Sequence, residues 1–297
     1  MRATFLSTTT KDGIALTGLL FVPRRKADIA LVWVYGLGSR LSSGSARHNA
    51  LMRVCGQANV AYAAFENRGA GAISFFKNKK GKYVPGGKAM ELFERCVLDI
   101  EAMIKGLRRE GFKKIYFAGH STGANKLAYF MEKRGCRGVQ GFALVSPMSD
   151  IPGIKEQLGK NYAKALAFSR KMIVAGKGGS LLPLPLVGGQ FWTARRFWSI
   201  AREGANEDTF PFYQSKRKFL WTKRVKVPVC VIIGEKDEFA DRPTREILAR
   251  FKKEIPGRYF SGAIVKNANH GFRGKEGEMT SAIMRWLDKA GRGRAKK

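Results

Sequence analysis

The chain has 297 residues, enough for one large α/β domain or two smaller ones around a buried core. Hydrophobic residues make up 44% and aromatic residues 11%, which excludes a disordered chain, and no apolar run reaches the roughly 18 residues of a membrane-crossing helix. The formal charge of +32 (55 Lys and Arg against 23 Asp and Glu) comes with no helix-turn-helix, zinc-finger or aromatic RNA-binding pattern, so a solvated basic surface is expected rather than a specific nucleic-acid site.

The opening "MRATFLSTTTKDG" lacks the long apolar segment of a secretory signal, so a cytoplasmic protein is expected. "LTGLLFVP" (16–23) alternates and stops at Pro23, which predicts a strand, and "ADIALVWVYGLGS" (27–39) is a near-continuous apolar strand that runs into glycines. "ARHNALMRVCGQA" (46–58) predicts a helix, and "VAYAAFENRG" (60–69) a strand ending in a turn. Apolar residues at three- and four-residue spacing predict one long helix over 88–111, stopped by Gly111. A strand in "KKIYFAGH" (113–120), a helix in "TGANKLAYFMEKRG" (122–135) and a strand in "VQGFALVSP" (139–147) follow.

Residues 151–226 break this rhythm, with helical pieces in "IKEQLGKNYAKALAFSRKMIVAG" (154–176) and "TARRFWSIAREG" (193–204) around "GKGGSLLPLPLVGGQFW" (176–192). A structureless loop of that length is unusual in a compact domain, so an inserted, mainly helical cap is expected. Beyond it, "VPVCVIIGEKD" (227–237) predicts a strand, "RPTREILARFKKEI" (242–255) a helix, "GAIVKNANHGF" (262–272) a strand with a loop, and "EGEMTSAIMRWLDKAG" (276–291) a last helix. Unbroken apolar strands alternating with helices predict an α/β fold with a mostly parallel central sheet covered on both faces. The expected division is a core of 1–150 and 227–297 and a cap of 151–226. Positive charge concentrates in "RRK" (24–26), "KNKKGK" (77–82), "KRK" (216–218) and the tail "GRGRAKK" (291–297).

Cys55, Cys96, Cys136 and Cys230 form no C-x-x-C pair and read as free, mostly buried thiols. The histidines are His48, His120 and His270, and none has a metal-pair spacing, so neither a metal nor a cofactor is expected. The chemistry centres on "YFAGHSTGANKLAYFM" (116–131). Its Gly-His-Ser-Thr-Gly is a nucleophile elbow only between a strand and a helix, which is the context predicted here. Glycines on either side let the serine take a strained backbone conformation, and the helix N-terminus behind it favours developing negative charge.

A serine hydroxyl needs a base. His120 neighbours Ser121 and should point away from it, packed inside the elbow. His48 lies on the predicted helix 46–58 and reads as a surface residue. His270, in "KNANHGF" between the last strand and last helix, is the candidate base. The imidazole in turn needs a carboxylate. Asp237, after a buried strand and Gly234, is the candidate; Asp150, after "ALVSPMS", is the rival, and Glu235 and Glu238 are less well placed in the turn. Backbone N–H groups of Thr122 and of Leu37, in "VWVYGLGS", are candidates for an oxyanion hole.

The order "YGLG", "GHSTG", "GEKD", "NHGF" resembles the α/β-hydrolase superfamily of serine hydrolases over essentially the whole chain. "FENRGAG", "FERCVLDIEAMI", "GHSTGANK", "SPMSD" and "GKGG…LLP" resemble a branch that includes fungal siderophore esterases. The resemblance implies a nucleophile Ser121, an acid Asp237, a base His270, and a cap where residues 151–226 lie. Many relatives have His-Gly where this chain has Tyr35-Gly36, and Asp where it has Asn67, which bears on the substrate, with Tyr35 as a candidate contact.

The expected function is hydrolysis of a small-molecule carboxylic ester through an acyl-enzyme. The cap residues Leu181, Leu182, Phe191, Trp192, Phe197 and Trp198 would line an apolar pocket or else pack the cap onto the sheet; Trp192 and Trp198 are the main pocket candidates. Acyl transfer, thioester cleavage and peptide cleavage would run on the same triad. A non-catalytic basic binding protein is the other class, and an intact triad argues against it.

Overall fold

A computed structural model describes residues 1–292. The strands are β1 (Arg2–Thr9), β2 (Ala15–Val22), β3 (Ile29–Val34), β4 (Ala61–Phe65), β5 (Ser74–Lys77), β6 (Tyr83–Gly86), β7 (Lys114–His120), β8 (Gly141–Val145), β9 (Val229–Gly234) and β10 (Phe260–Val265). The helices are α1 (Ser45–Gln57), α2 (Cys96–Arg109), α3 (Thr122–Arg134), α4 (Asp150–Leu158), α5 (Asn161–Val174), α6 (Ala194–Ala201), α7 (Thr244–Glu254) and α8 (Glu276–Arg292). Eight strands form one sheet in the order β1-β2-β4-β3-β7-β8-β9-β10, and β5 and β6 form a separate hairpin. Every pair from β4 to β10 along this order is parallel, while β1–β2 and β2–β4 are antiparallel.

The two-residue period of a strand explains why the central strands are apolar throughout. On β3, Ala30, Val32 and Val34 pack toward α2, α3 and α7, and Leu31 and Trp33 pack toward α1 and α8. The same alternation runs through β7, where Ile115 and Phe117 oppose Tyr116 and Ala118, and through β9, where Val229, Val231 and Ile233 oppose Cys230 and Ile232.

Three stretches depart from the sequence reading. β1 was not anticipated, because only Leu6 and Thr8 are buried in a Thr-rich edge strand. The Asp12-Gly13 turn that joins it to β2, with Gly13 at φ +87°, is the local signal for that hairpin. The β5–β6 hairpin was also missed; it leaves Phe75 and Tyr83 exposed and so lacks a buried stripe. Finally, the helix expected over 88–111 begins only at Cys96, after a 3₁₀ turn at Phe93–Arg95. Upstream, Lys88 O accepts from Arg196 Nε at 3.1 Å and Ala89 O accepts from Thr193 N at 2.9 Å, so these carbonyls are engaged elsewhere.

The expected cap, 151–226, divides in two. Leu158, Leu182, Val187, Trp192, Phe197 and Ile200 form a cluster of their own. Phe210, Phe212, Phe219, Trp221 and Val225 instead join the sheet-side core, where Phe251 of α7 meets the aromatic rings. The chain therefore rejoins the sheet-side core at Phe210, sixteen residues before residue 226. The basic tail is described only as far as Arg292; residues 293–297 lie outside the described residues.

α3 is buried on every side from Thr122 to Met131, including Lys126. A buried ammonium is tolerable only with a counter-charge. Lys126 Nζ lies 2.8 Å from Glu91 Oε2, and Arg196 Nη2 lies 3.3 Å from Glu91 Oε1 and 2.8 Å from Glu207 Oε1. The four side chains are at most 2% exposed and their formal charges cancel. Removing one partner strands the others in a low-dielectric site. Arg196→Met is therefore expected to cost about 3–5 kcal/mol of stability in urea unfolding. Adding Glu207→Leu should recover more than half of that loss, because Glu91 keeps Lys126. A single variant within about 1 kcal/mol of the native chain would show that the ions are not coupled this way.

Candidate active site

Ser121 stands between β7 and α3 with φ 56° and ψ −128°, a conformation that costs a non-glycine residue energy and is held by its surroundings. Its N–H donates to Val145 O at 2.9 Å. A Cβ at Gly123 would lie 2.2 Å from Val34 O, and one at Gly119 would lie 2.5 Å from Gly123 O, so the elbow closes only with glycine at both positions. The loop after β3 approaches from the other side. A Cβ at Gly36 would lie 3.0 Å from Ser121 Cβ and 3.5 Å from Thr122 N. Leu37 and Thr122 thus flank Ser121 at one end of a cavity of about 690 Å³.

His270 and Ser121 line the same cavity. His270 Nδ1 lies 2.9 Å from both carboxylate oxygens of Asp237, whose side chain is fully buried. The two loops that carry them are joined along their backbones. Glu235 N donates to Val265 O at 2.9 Å, and Lys236 N donates to Ala268 O at 2.8 Å. Glu235 and Glu238, the discounted acids, accept from Asn267 N at 2.9 Å and from His270 N at 2.8 Å. Asp150, the rival acid, is not on His270 Nδ1; it opens α4 and lines the cavity wall.

The structure moves several expected residues. Tyr35 does not line the cavity: its ring is buried, and its hydroxyl lies 3.0 Å from His48 Nε2. As the next residue after β3, it points to the face opposite Val34. Trp198 is also outside. It lies under Arg202, 5.3 Å from ring centroid to guanidinium, while Phe197 and Ile200 of the same helix reach the cavity. Adjacent helical residues are about 100° apart, so only one of the two aromatics can face inward. Trp192 does line the cavity, under Lys88 Nζ at 5.4 Å. Leu181 and Phe191 are largely exposed, and Leu182 packs inside the cap. Asn67 is buried; its amide donates to Tyr35 O at 3.3 Å and its carbonyl oxygen accepts from Lys126 Nζ at 3.4 Å. Ser149 and Phe239 line the cavity without a sequence signal to mark them.

Among the described residues no group of His, Cys, Asp and Glu side chains could hold a metal ion, and no helix is long and apolar enough to cross a membrane.

The family model described as "Protein of unknown function (DUF1749)" matches residues 87–288. No curated protein matches the sequence. Among solved structures, the siderophore hydrolase EstB from Aspergillus fumigatus is 15% identical, with a TM-score of 0.72 over 93% of this chain and 94% of that one. A highly thermostable carboxyl esterase from Bacillus coagulans is 16% identical, with a TM-score of 0.64 over 98% and 99%. Carboxylesterase CesB from Bacillus subtilis is 18% identical, with a TM-score of 0.56 over 97% and 92%. Likeness at these identities establishes the fold, which is the α/β-hydrolase fold with a mainly helical insertion.

His48, expected at the surface, is instead buried between the hydroxyls of Tyr35 and Tyr62, with Nδ1 2.5 Å from the latter. Burial, with the nearby Arg47 charge, pushes its pKa down to about 4. The unfolded chain, with an ordinary imidazole near 6.5, then binds the proton more tightly than the folded chain. Stability is therefore complete above about 6.5 and lost as the pH falls toward 4. His48→Gln should remove up to one proton from this dependence, flattening the slope by as much as ~1.4 kcal/mol per pH unit in urea titrations between pH 4 and 6.5. An unchanged slope would mean that His48 is not held neutral in the native state.

Proposed function

The chain belongs to the DUF1749 family, and we propose that it is a serine hydrolase that cleaves carboxylic esters through an acyl-enzyme. The observation that carries this reading is His270, held at Nδ1 by both oxygens of Asp237 in the cavity that Ser121 also lines. With Nδ1–H donated to the carboxylate, the imidazole is fixed in the tautomer whose Nε2 accepts a proton. Ser121 Oγ attacks the acyl carbonyl and passes its proton to His270. The N–H groups of Leu37 and Thr122 receive the oxyanion, and the start of α3 adds its dipole. Collapse expels the alcohol with the proton from His270. Water activated by the same imidazole then releases the acid and regenerates Ser121.

Several features support an ester with an apolar acyl part. Val187, Trp192, Phe197 and Ile200 of the insertion line the cavity that Ser121 also lines, and Leu37 packs against the same cluster. The structural neighbours are described as a siderophore hydrolase and as carboxylesterases, enzymes whose names fit this reaction.

Ser121→Ala is expected to lower kcat on p-nitrophenyl butyrate by about 10³-fold or more without a change in far-ultraviolet dichroism. Fluorophosphonate labelling should map to the peptide containing Ser121. Residual activity within tenfold of the native protein, or a label elsewhere, would sink the assignment. Asp237→Asn should likewise cost about 10³-fold or more, because an amide favours the wrong imidazole tautomer.

Acyl-chain preference tests the pocket. Each extra methylene buried is worth about 0.8 kcal/mol until the pocket is full, so kcat/KM should pass through a maximum with chain length. Phe197→Leu is expected to move that maximum to longer chains, whereas Trp198→Ala should leave it in place. A shift with Trp198→Ala and none with Phe197→Leu would place the acyl group elsewhere.

A further inference from the structure

The lining of the cavity reverses the charge balance of the chain. Lys and Arg outnumber Asp and Glu by 55 to 23 overall, but the cavity wall carries Asp150, Glu156, Glu238 and Asp241 against Lys88 alone. Three of these five charges have partners on the protein. Lys88 Nζ donates to Gln190 Oε1 at 2.7 Å, Glu238 holds His270 N, and Asp241 pairs with Arg242 at 3.0 Å. Glu156 is exposed at the rim.

Asp150 is different. It sits where α4 begins, and among the described residues no side chain or backbone N–H donates to its carboxylate. Arg196, the nearest strong cation in effect, is committed to Glu91 and Glu207. The neighbouring Ser149 lines the same wall and is nine-tenths buried, and its Oγ has no hydrogen-bond partner. Burial and the Glu207 carboxylate push the Asp150 carboxyl up to about 7, with Arg196 and His270 acting in the opposite direction. An acid so placed is short of a cation, and the open cavity is the side from which one can come.

We infer that the site takes esters that carry a protonated or quaternary amine, with Asp150 as the residue that receives the cation beside Ser149. This inference rests on the esterase reading of the same site and adds the substrate's charge to it. A charged hydrogen bond or ion pair in a partly desolvated wall is worth about 10-fold to 100-fold in affinity. Cation recognition of this kind acts at contact distance. The repulsive exterior acts over the Debye length of about 8 Å and is weakened by salt, so added salt should help a cationic ester more than a neutral one.

The test is an isosteric pair, p-nitrophenyl 4-(trimethylammonio)butanoate and p-nitrophenyl 5,5-dimethylhexanoate, which differ by N⁺ in place of carbon. The native protein is expected to favour the cationic ester by about 10-fold or more in kcat/KM at moderate salt, and Asp150→Asn to bring the ratio to about one. A native preference for the neutral ester, or a ratio that Asp150→Asn leaves unchanged, overturns the inference. If neither ester is turned over, the esterase reading fails separately. The corresponding amides, 4-(trimethylammonio)butanamide and 5,5-dimethylhexanamide, then decide by calorimetric titration into the Ser121→Ala protein. Tighter binding of the cationic amide that is lost in Ser121→Ala/Asp150→Asn upholds cation recognition; equal or weaker binding refutes it.

Discussion

Two cations and two carboxylates buried together set the geometry around Ser121. Lys126 belongs to α3, the helix that starts immediately after the serine; Glu91 belongs to the turn before α2; Arg196 belongs to α6; and Glu207 belongs to the return from the insertion to the core. Apolar residues of equal volume would bury as readily. The charges add a restriction on register: each segment has one position at which its ion is met, and a slip of one residue leaves a charge unpaired. Asn125, next to Lys126, tightens the same joint by donating to Glu207 O at 3.2 Å. The insertion is thereby keyed to the helix whose N-terminus faces the cavity.

The neutrality of that cluster matters for the chemistry beside it. Arg196 is paired with Glu91 and Glu207, and its pull on Asp150 is outweighed by burial and the Glu207 carboxylate. The exterior is crowded with Lys and Arg, and the buried cluster is neutral, while the lining of the cavity is an acidic part of a basic molecule. Charge on this protein is segregated by depth. The net value of +32 describes the surface and says little about the site.

What was legible in the sequence follows the same division. Strands buried on both faces announce themselves as continuous apolar runs, so β3, β4, β7, β8 and β9 were readable, and with them the loops that carry Leu37, Ser121 and Asp237. β1 and the β5–β6 hairpin were not, because a half-exposed strand leaves a weak pattern. The segment before α2 has helical periodicity but takes its partners from Arg196 and Thr193, more than 100 residues away in sequence. Tyr35, Trp198 and His48 were misplaced for a narrower reason. Which of two adjacent side chains faces a cavity depends on the register of its element against the sheet, and no local pattern encodes that.

The remaining arrangement is one of loops fixed before any substrate arrives. A Cβ at Gly234 would lie 2.5 Å from Ala268 O, so the loops that carry Asp237 and His270 can close on each other only because that position is glycine. His120, inside the elbow, ties the segment that carries Ser121 to the loop that carries His270: its Nε2 donates to His270 O at 2.8 Å, and its ring stacks on Trp33. Its burial, with the Arg47 and His270 charges, drives its pKa well below the usual range, so the ring stays neutral. That state is the one the proposed proton transfer requires. The two imidazole centroids are 4.9 Å apart, and a cationic His120 would oppose the charge that His270 would acquire on taking the proton of Ser121 in the proposed mechanism. A neutral His120 can hold the His270 loop in place and would still let His270 become charged, so positioning and the proposed proton transfer do not conflict.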